Sequence, residues 1–250
     1  MYRIWPTGPA ELADAGEIDD AGLAAHYAYP ADLAGPFVRV NFVTSVDGAV
    51  SVEGRSGGLG TAADKRVFGL LRELADVVLV GAGTVRAEDY RGARRATRGR
   101  DTPPPIAVVT GSAELDPGAR LFTDTRTPPI VLTLATAPTD RRERLAAAGA
   151  DVVVLDRLSP DALLAELGRR GLHRVLCEGG PGLHGQLVAA DAVDELCVTV
   201  SPLLAGGGAG RIADGPAGSP PRRMTLVGAL THEDALLLRY RRSSEISAPH

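Results

Sequence analysis

Leu74-Ala75-Asp76-Val77-Val78-Leu79-Val80-Gly81-Ala82-Gly83-Thr84-Val85-Arg86-Ala87-Glu88-Asp89 sets the reading of the whole chain. Residues 76–80 form a short run of β-branched and leucine residues suited to a strand covered on both faces, and Gly81 breaks it at once into a turn and a helix. The same unit returns at Arg174-Val175-Leu176-Cys177, where Glu178-Gly179-Gly180-Pro181-Gly182 leads into a helix over about 183–189. Buried strands that each run straight into a helix are the units of a parallel sheet, because a parallel return needs a long crossover.

Working outward, residues 37–43 alternate apolar and polar side chains and predict the first strand, which delivers Thr44-Ser45-Val46-Asp47-Gly48 at its carboxyl end. Thr61 is placed to cap a helix whose Val67, Leu70, Leu71 and Leu74 recur at helical spacing up to Ala75. Strands at 106–110, 130–134 and 151–155 alternate with helices at 140–148 and 160–170, and a strand at 195–200 follows. Residues 90–105 read as a polar loop carrying Arg91, Arg94, Arg95, Arg98 and Arg100, a pattern common to solvated surfaces. Runs at 224–230 and 235–240 are close enough to pair antiparallel at a sheet edge. The expected fold is α/β, with a mostly parallel central sheet, helices on both faces and an antiparallel C-terminal edge. Residues 36–242 are expected to form one domain, 1–35 an extension with a short helix near Asp19 to Tyr27, and 243–250 a frayed tail.

The composition is that of an ordinary globular protein, 44% apolar and 23% charged. A net charge of −4 gives no global attraction to nucleic acid or to an anionic membrane, so an anionic ligand must be held by local donors. Cys177 and Cys197 lack metal-site spacing and read as buried thiols, and the five histidines are scattered without nucleophile or metal-ligand spacing. No apolar run approaches a membrane span and the start lacks the apolar core of a signal peptide, so a cytoplasmic protein without a metal is expected.

Ligands of open α/β sheets collect beyond the carboxyl ends of the strands, where main-chain N–H groups and helix amino termini converge. Both glycine turns fall there. Gly81, Gly83 and Thr84, with Gly179, Gly180, Pro181, Gly182 and Leu183, are therefore candidate phosphate contacts, although either turn alone could be only a tight connection. The third glycine and the ribose-binding acid of the standard dinucleotide fingerprint are missing, as is the Lys-Ser/Thr pair of a triphosphate loop. Ser45 and Asp47 could meet a polyol or heterocycle, or Asp47 could serve an Asx turn before Gly48. Arg72 could clamp a phosphate with its planar fork, or form an ion pair with Glu73 or Asp76.

These residues resemble the reductase domain of riboflavin biosynthesis, a family with a dihydrofolate-reductase-like fold, over roughly 37–240. The likeness rests on Thr44-Ser45-Val46-Asp47-Gly48, on the stretch quoted first, on Glu178-Gly179-Gly180-Pro181 through Val193-Asp194-Glu195-Leu196, and on Ser201-Pro202-Leu203-Leu204-Ala205-Gly206-Gly207. It implies reduction by NADPH of the ribose of 5-amino-6-(5-phosphoribosylamino)uracil, and a homodimer. It further implies NADPH contacts at Val43, Thr44, Thr84, Glu88 and the turn from Gly180 to Gln186. Ser56, Arg72, Gly92, Arg95 and Glu178 would line the substrate side, and Asp47 would orient or protonate the substrate amine. Two positions depart from the family pattern: Ala49 stands where a cation usually follows the Asp-Gly pair, and Gly58 where a tryptophan is frequent. The zinc deaminase half often joined to this domain has no counterpart in these residues, so a stand-alone reductase is expected. A pterin reductase on the same fold and a non-catalytic NADP-binding module are the rival readings.

Overall fold

The computed structural model describes residues 1–5, 17–215 and 221–243. Ten strands form one sheet: β1 (Tyr2–Trp5), β2 (Phe37–Ser45), β3 (Val77–Gly81), β4 (Ile106–Val109), β5 (Ile130–Leu134), β6 (Asp151–Leu155), β7 (Arg174–Cys177), β8 (Glu195–Ser201), β9 (Met224–His232) and β10 (Ala235–Arg242). Their order across the sheet is β1-β9-β10-β8-β2-β7-β3-β4-β5-β6. From β8 to β6 every pairing is parallel, whereas β8, β10, β9 and β1 pair antiparallel. The α/β architecture with an antiparallel edge is that read from the sequence.

Seven α-helices cover the described sheet: α1 (Asp20–His26), α2 (Ala62–Leu74), α3 (Ala82–Ala87), α4 (Arg120–Thr123), α5 (Thr139–Ala147), α6 (Pro160–Arg169) and α7 (Pro181–Ala189). The alternation of β3 sends Val78 and Val80 into one core, with Leu71 of α2 and Leu145 of α5, and Val77 and Leu79 into the other, with Leu163 of α6 and Leu187 of α7. All four β3 side chains are fully buried, which is why the segment reads as a continuous apolar run. The Thr61 hydroxyl accepts from the Asp64 N–H at 3.1 Å, so the expected cap starts α2. Pro181 opens α7 at a first-turn position where a missing N–H costs nothing.

Three expectations change. The described residues of the N-terminal extension are part of the fold: β1 adds the outermost strand beside β9, and Leu23 and Tyr27 are buried. The last two strands are consequently interior to the sheet. Residues 90–105 are not a free polar loop, since Arg95 pairs with Glu73, Arg100 with Asp76 and Arg94 with Asp124, while buried Thr97 donates to the Ala75 carbonyl at 2.9 Å. Of the expected tail only Ser243 lies within the described residues, and the segments 6–16 and 216–220 also lie outside them. Cys177 and Cys197 are buried free thiols, each pushed up to about 12 by burial. No helix of the described residues is long and apolar enough to cross a membrane.

Candidate active site

A cleft of about 960 Å³ opens at the carboxyl ends of β2, β3 and β7. One wall is the pair of glycine turns. Gly81, Gly83, Thr84, Gly180, Pro181, Gly182 and Leu183 all line it. The turns are packed into one another: the Gly81 N–H donates to the Gly179 carbonyl at 2.8 Å, and a Cβ on Gly180 would sit 2.7 Å from the Thr84 hydroxyl. A side chain at position 180 would displace the Thr84 hydroxyl. Gly83 and Gly182, by contrast, have nothing within 4 Å of a Cβ position, so their main chain faces open space. The first-turn N–H groups of α7 have no partner within the helix and adjoin the same space. This backbone wall, free of side-chain bulk, fits a dinucleotide pyrophosphate by the chemistry of its donors. Gly179 serves the turn itself, with φ of +98° and the Phe42 ring 3.2 Å from its Cβ position, and lies outside the cleft lining.

The facing wall comes from α2 and the segment after α3. Asp64, Phe68 and Arg72 recur at i, i+4 and i+8, so one helix face presents all three to the cleft. Arg72 donates from Nε to Glu178 Oε1 at 2.7 Å and from Nη2 to Oε2 at 2.6 Å. Tyr90 adds a hydroxyl donor to the same Oε2 at 2.7 Å. The Arg72 guanidinium carbon lies 4.5 Å from the centre of the Phe68 ring and 5.5 Å from that of Tyr90. Burial, followed by the Glu178 charge, pushes the Tyr90 hydroxyl far above its usual range, while the Glu178 charge holds Arg72 protonated despite desolvation. Arg72 thus pairs with neither Glu73 nor Asp76, and its fork is committed to a carboxylate. Asp76 instead accepts from the His173 and Arg174 N–H groups and from the Arg174 guanidinium, tying β3 to β7.

Several residues named from the sequence do reach the cleft: Val43, Ser56, Arg72, Glu88 and Glu178 join the glycine wall there. Glu88 accepts the Ser56 N–H at 2.8 Å and so fixes the loop before α2. Others do not. Thr44 is in β2 paired to β8, and Ser45 is buried with its hydroxyl accepting from the Ala49 N–H at 2.9 Å and donating to Asp47. The Asp47 carboxylate accepts the Ala205 and Gly206 N–H groups at 3.1 and 2.8 Å. The Ser45 hydroxyl and then these N–H groups hold its pKa down to about 2, so it is ionised and engaged in a turn, which corrects its expected part in protonation. Gly92 packs against Thr125, and the 79% exposed Arg95 side chain pairs with Glu73, both away from the cleft. Ala49 is buried against Ser45, and it is Val50 and Ser51 that face the cleft; Gly57 lines it, and a Cβ on Gly58 would touch Val52. Sequence reasoning missed Asn41, Phe68 and Tyr90. The helical spacing of Asp64, Phe68 and Arg72 was the available signal.

The model of the RibD C-terminal domain matches residues 36–238. This chain belongs to the RibD C-terminal domain family. A 2,5-diamino-6-ribosylamino-4(3H)-pyrimidinone 5′-phosphate reductase of Archaeoglobus fulgidus is 32% identical over 183 residues, 69% of this chain and 83% of the relative. A reductase of the same name from Aquifex aeolicus is 30% identical over 179 residues, 69% of this chain and 79% of its own length. Among solved structures, a pyrimidine reductase-like protein of Corynebacterium diphtheriae superposes with a TM-score of 0.77 at 23% identity, covering 89% of this chain and 99% of its own. That likeness carries the fold.

Proposed function

We propose that this RibD-family protein is an NADPH-dependent reductase that converts the ribosyl group of a ribosylaminopyrimidine 5′-phosphate to ribityl. The substrate is 5-amino-6-(5-phosphoribosylamino)uracil or the 2,5-diamino pyrimidinone after which the Archaeoglobus and Aquifex relatives are named. The observation that carries this reading is the opposition, across one cleft, of a glycine-built backbone wall and the Arg72–Glu178–Tyr90 cluster.

Bound NADPH would supply a hydride for C1′ of the ring-opened sugar imine. The chain's own residues position the partners. Gly83, Thr84 and the amino end of α7 would hold the pyrophosphate, Val43 would border the nicotinamide, and Glu178 would accept heterocycle N–H groups while Arg72 and Tyr90 keep its carboxylate oriented. Asp47 supports Ala205 and Gly206 from outside the cleft and has no part in positioning the partners.

The test is NADPH oxidation by the purified protein with each ribosylaminopyrimidine phosphate and, in parallel, with dihydrofolate, the products identified by mass. A ribityl product two hydrogens heavier is expected, with dihydrofolate at least about tenfold slower. Turnover of dihydrofolate alone would replace this reading with a pterin reductase. Tight NADPH binding with no turnover of any substrate would make the chain a binding module.

A further inference from the structure

We propose that Asp64 is the proton donor of the reduction, delivering its proton to the sugar-bearing nitrogen of the substrate as C1′ is reduced. The proposal rests on the ribosylaminopyrimidine reading above.

Reducing a C=N bond takes a hydride at carbon and a proton at nitrogen. C1′ accepts the hydride from NADPH, the C=N π pair moves to nitrogen, and nitrogen takes the carboxyl proton of Asp64. Water at the cleft mouth then reprotonates the carboxylate. The donor must line the cleft and hold a proton there.

Four carboxyl groups line the cleft: Asp64, Glu88, Asp89 and Glu178. Three are committed as acceptors. Glu178 takes the Arg72 fork and the Tyr90 hydroxyl, Asp89 pairs with Arg120 at 3.0 Å, and Glu88 accepts the Ser56 N–H. Asp64 differs from all of them. Its carboxyl group shares a hydrogen bond with Thr199, and Lys65, the next residue of α2, acts on it only through space, with no salt bridge between them among the described residues. Burial outweighs both and holds the group above the usual carboxylate range. Asn41 and Val43, which β2 presents to the cleft, and Gly57 and Gly60 of the preceding loop carry no charge that would oppose this.

Position agrees with protonation. Asp64 stands in the first turn of α2, where its N–H donates to the Thr61 hydroxyl at 3.1 Å, so the helix cap orients the residue without using the carboxyl group. Gly60, itself a lining residue, sets no side chain against Asp64 Oδ2, and a Cβ there would stand 3.3 Å from it. Thr199 is buried in β8 and paired with Val43, whereas Glu178 follows Cys177 of β7, which pairs with Val40 on the other side of β2. Two strand spacings, about 10 Å, therefore separate the elements that hold the two carboxyl groups. N3–H and C6, which carries the sugar nitrogen, lie on opposite sides of a pyrimidine ring. A ring with N3–H on Glu178 turns its sugar nitrogen towards Asp64 and fills that span, over a floor of Asn41 and Val43.

The test compares Asp64→Asn and Thr199→Val with the wild type. Measured are kcat and KM for the ribosylaminopyrimidine phosphate across pH, Kd for NADPH by fluorescence, and, in cofactor-free protein, the infrared C=O band of a protonated carboxyl in the wild type minus Asp64→Asn difference spectrum. Asp64→Asn should lower kcat about 100-fold, with KM and Kd within about threefold, and remove the alkaline fall of kcat seen in the wild type. The difference band should fade as pH rises. The Thr199 hydroxyl favours the anion, so Thr199→Val should move the alkaline fall to higher pH. That shift decides alone should Asp64→Asn not fold. An alkaline fall that persists in Asp64→Asn, one that stays in place in Thr199→Val, or the absence of the difference band overturns the proposal. So does a rise in KM or Kd at unchanged kcat, which would make Asp64 a binding group. Wild-type turnover matched by Asp64→Asn removes the donor and leaves the reductase standing, whereas a wild type that reduces no ribosylaminopyrimidine overturns both.

Discussion

Glu178 and Glu195 stand at strand ends of the same sheet, and each is paired with arginine. Glu195 opens β8, where the parallel register sets it opposite Arg39 and the antiparallel register opposite Arg241. Its two oxygens accept from Arg39 Nε at 2.6 Å, from Arg239 Nε at 3.1 Å and from Arg241 Nη2 at 2.9 Å, and both it and Arg39 are wholly buried. Arg39 is further held by the Tyr27 carbonyl at 2.7 Å and lies 4.0 Å from the centre of the Tyr29 ring. Glu178, just past β7, has one arginine and one tyrosine, and its cluster borders the cleft. The same ion-pair chemistry is sealed into the junction of the parallel and antiparallel halves in one place and turned to a ligand space in the other. Whether a buried arginine–glutamate pair belongs to the fold or to the site is decided by what its remaining face meets.

The largest test of that contrast is Glu195→Ala, which leaves Arg39 buried without its counter-charge. A loss of about 3–5 kcal/mol is expected from urea unfolding, with Glu195→Gln intermediate. A change under about 1 kcal/mol in both would mean that the sealed cluster does not hold the two halves together. Glu178→Gln should do the opposite, lowering kcat/KM about 100-fold while the melting temperature moves by only a few degrees. Equal thermal damage in the two variants would erase the distinction.

A smaller effect concerns His26, beside the sealed cluster. Burial, reinforced by Arg239, lowers its pKa to about 4 from an ordinary 6.5. Between those values the unfolded chain binds the proton and the folded chain does not. Stability from this group is therefore complete above pH 6.5 and falls as pH drops towards 4, by about 3 kcal/mol in all. Unfolding midpoints at pH 7 and pH 5 should converge in His26→Gln. The smallest effect is expected for Arg95→Gln, since the side chain lies outside the cleft: kcat/KM should stay within about threefold, and a tenfold loss would bring Arg95 back to the substrate side.

Much of the cleft was legible in the sequence because its glycine wall is built from local chemistry. Gly81, Gly83, Gly180 and Gly182 announce themselves through strand-to-turn-to-helix spacing, which depends on neighbours a few residues apart. The wall opposite is assembled from residues distant in the chain. Glu178 lies 106 positions from Arg72 and 88 from Tyr90, so no local pattern could show that Arg72 is already occupied. Asp47 illustrates the same limit: the sequence offered a ligand contact or an Asx turn before Gly48, and the carboxylate instead accepts the N–H groups of the distant Ala205 and Gly206.

Hydrophobic periodicity and glycine spacing by themselves determined the α/β class, the order of the strands from β2 onward and both glycine turns, because side-chain alternation and helical recurrence are properties of contiguous residues. Only the tertiary structure placed β1 outside β9, gathered Arg39 and Arg241 on Glu195, gave Arg72 to Glu178 and turned Arg95 to Glu73. Charge compensation depends on which side chains the folded sheet brings within a few ångströms, and sequence separation carries almost no information about that distance.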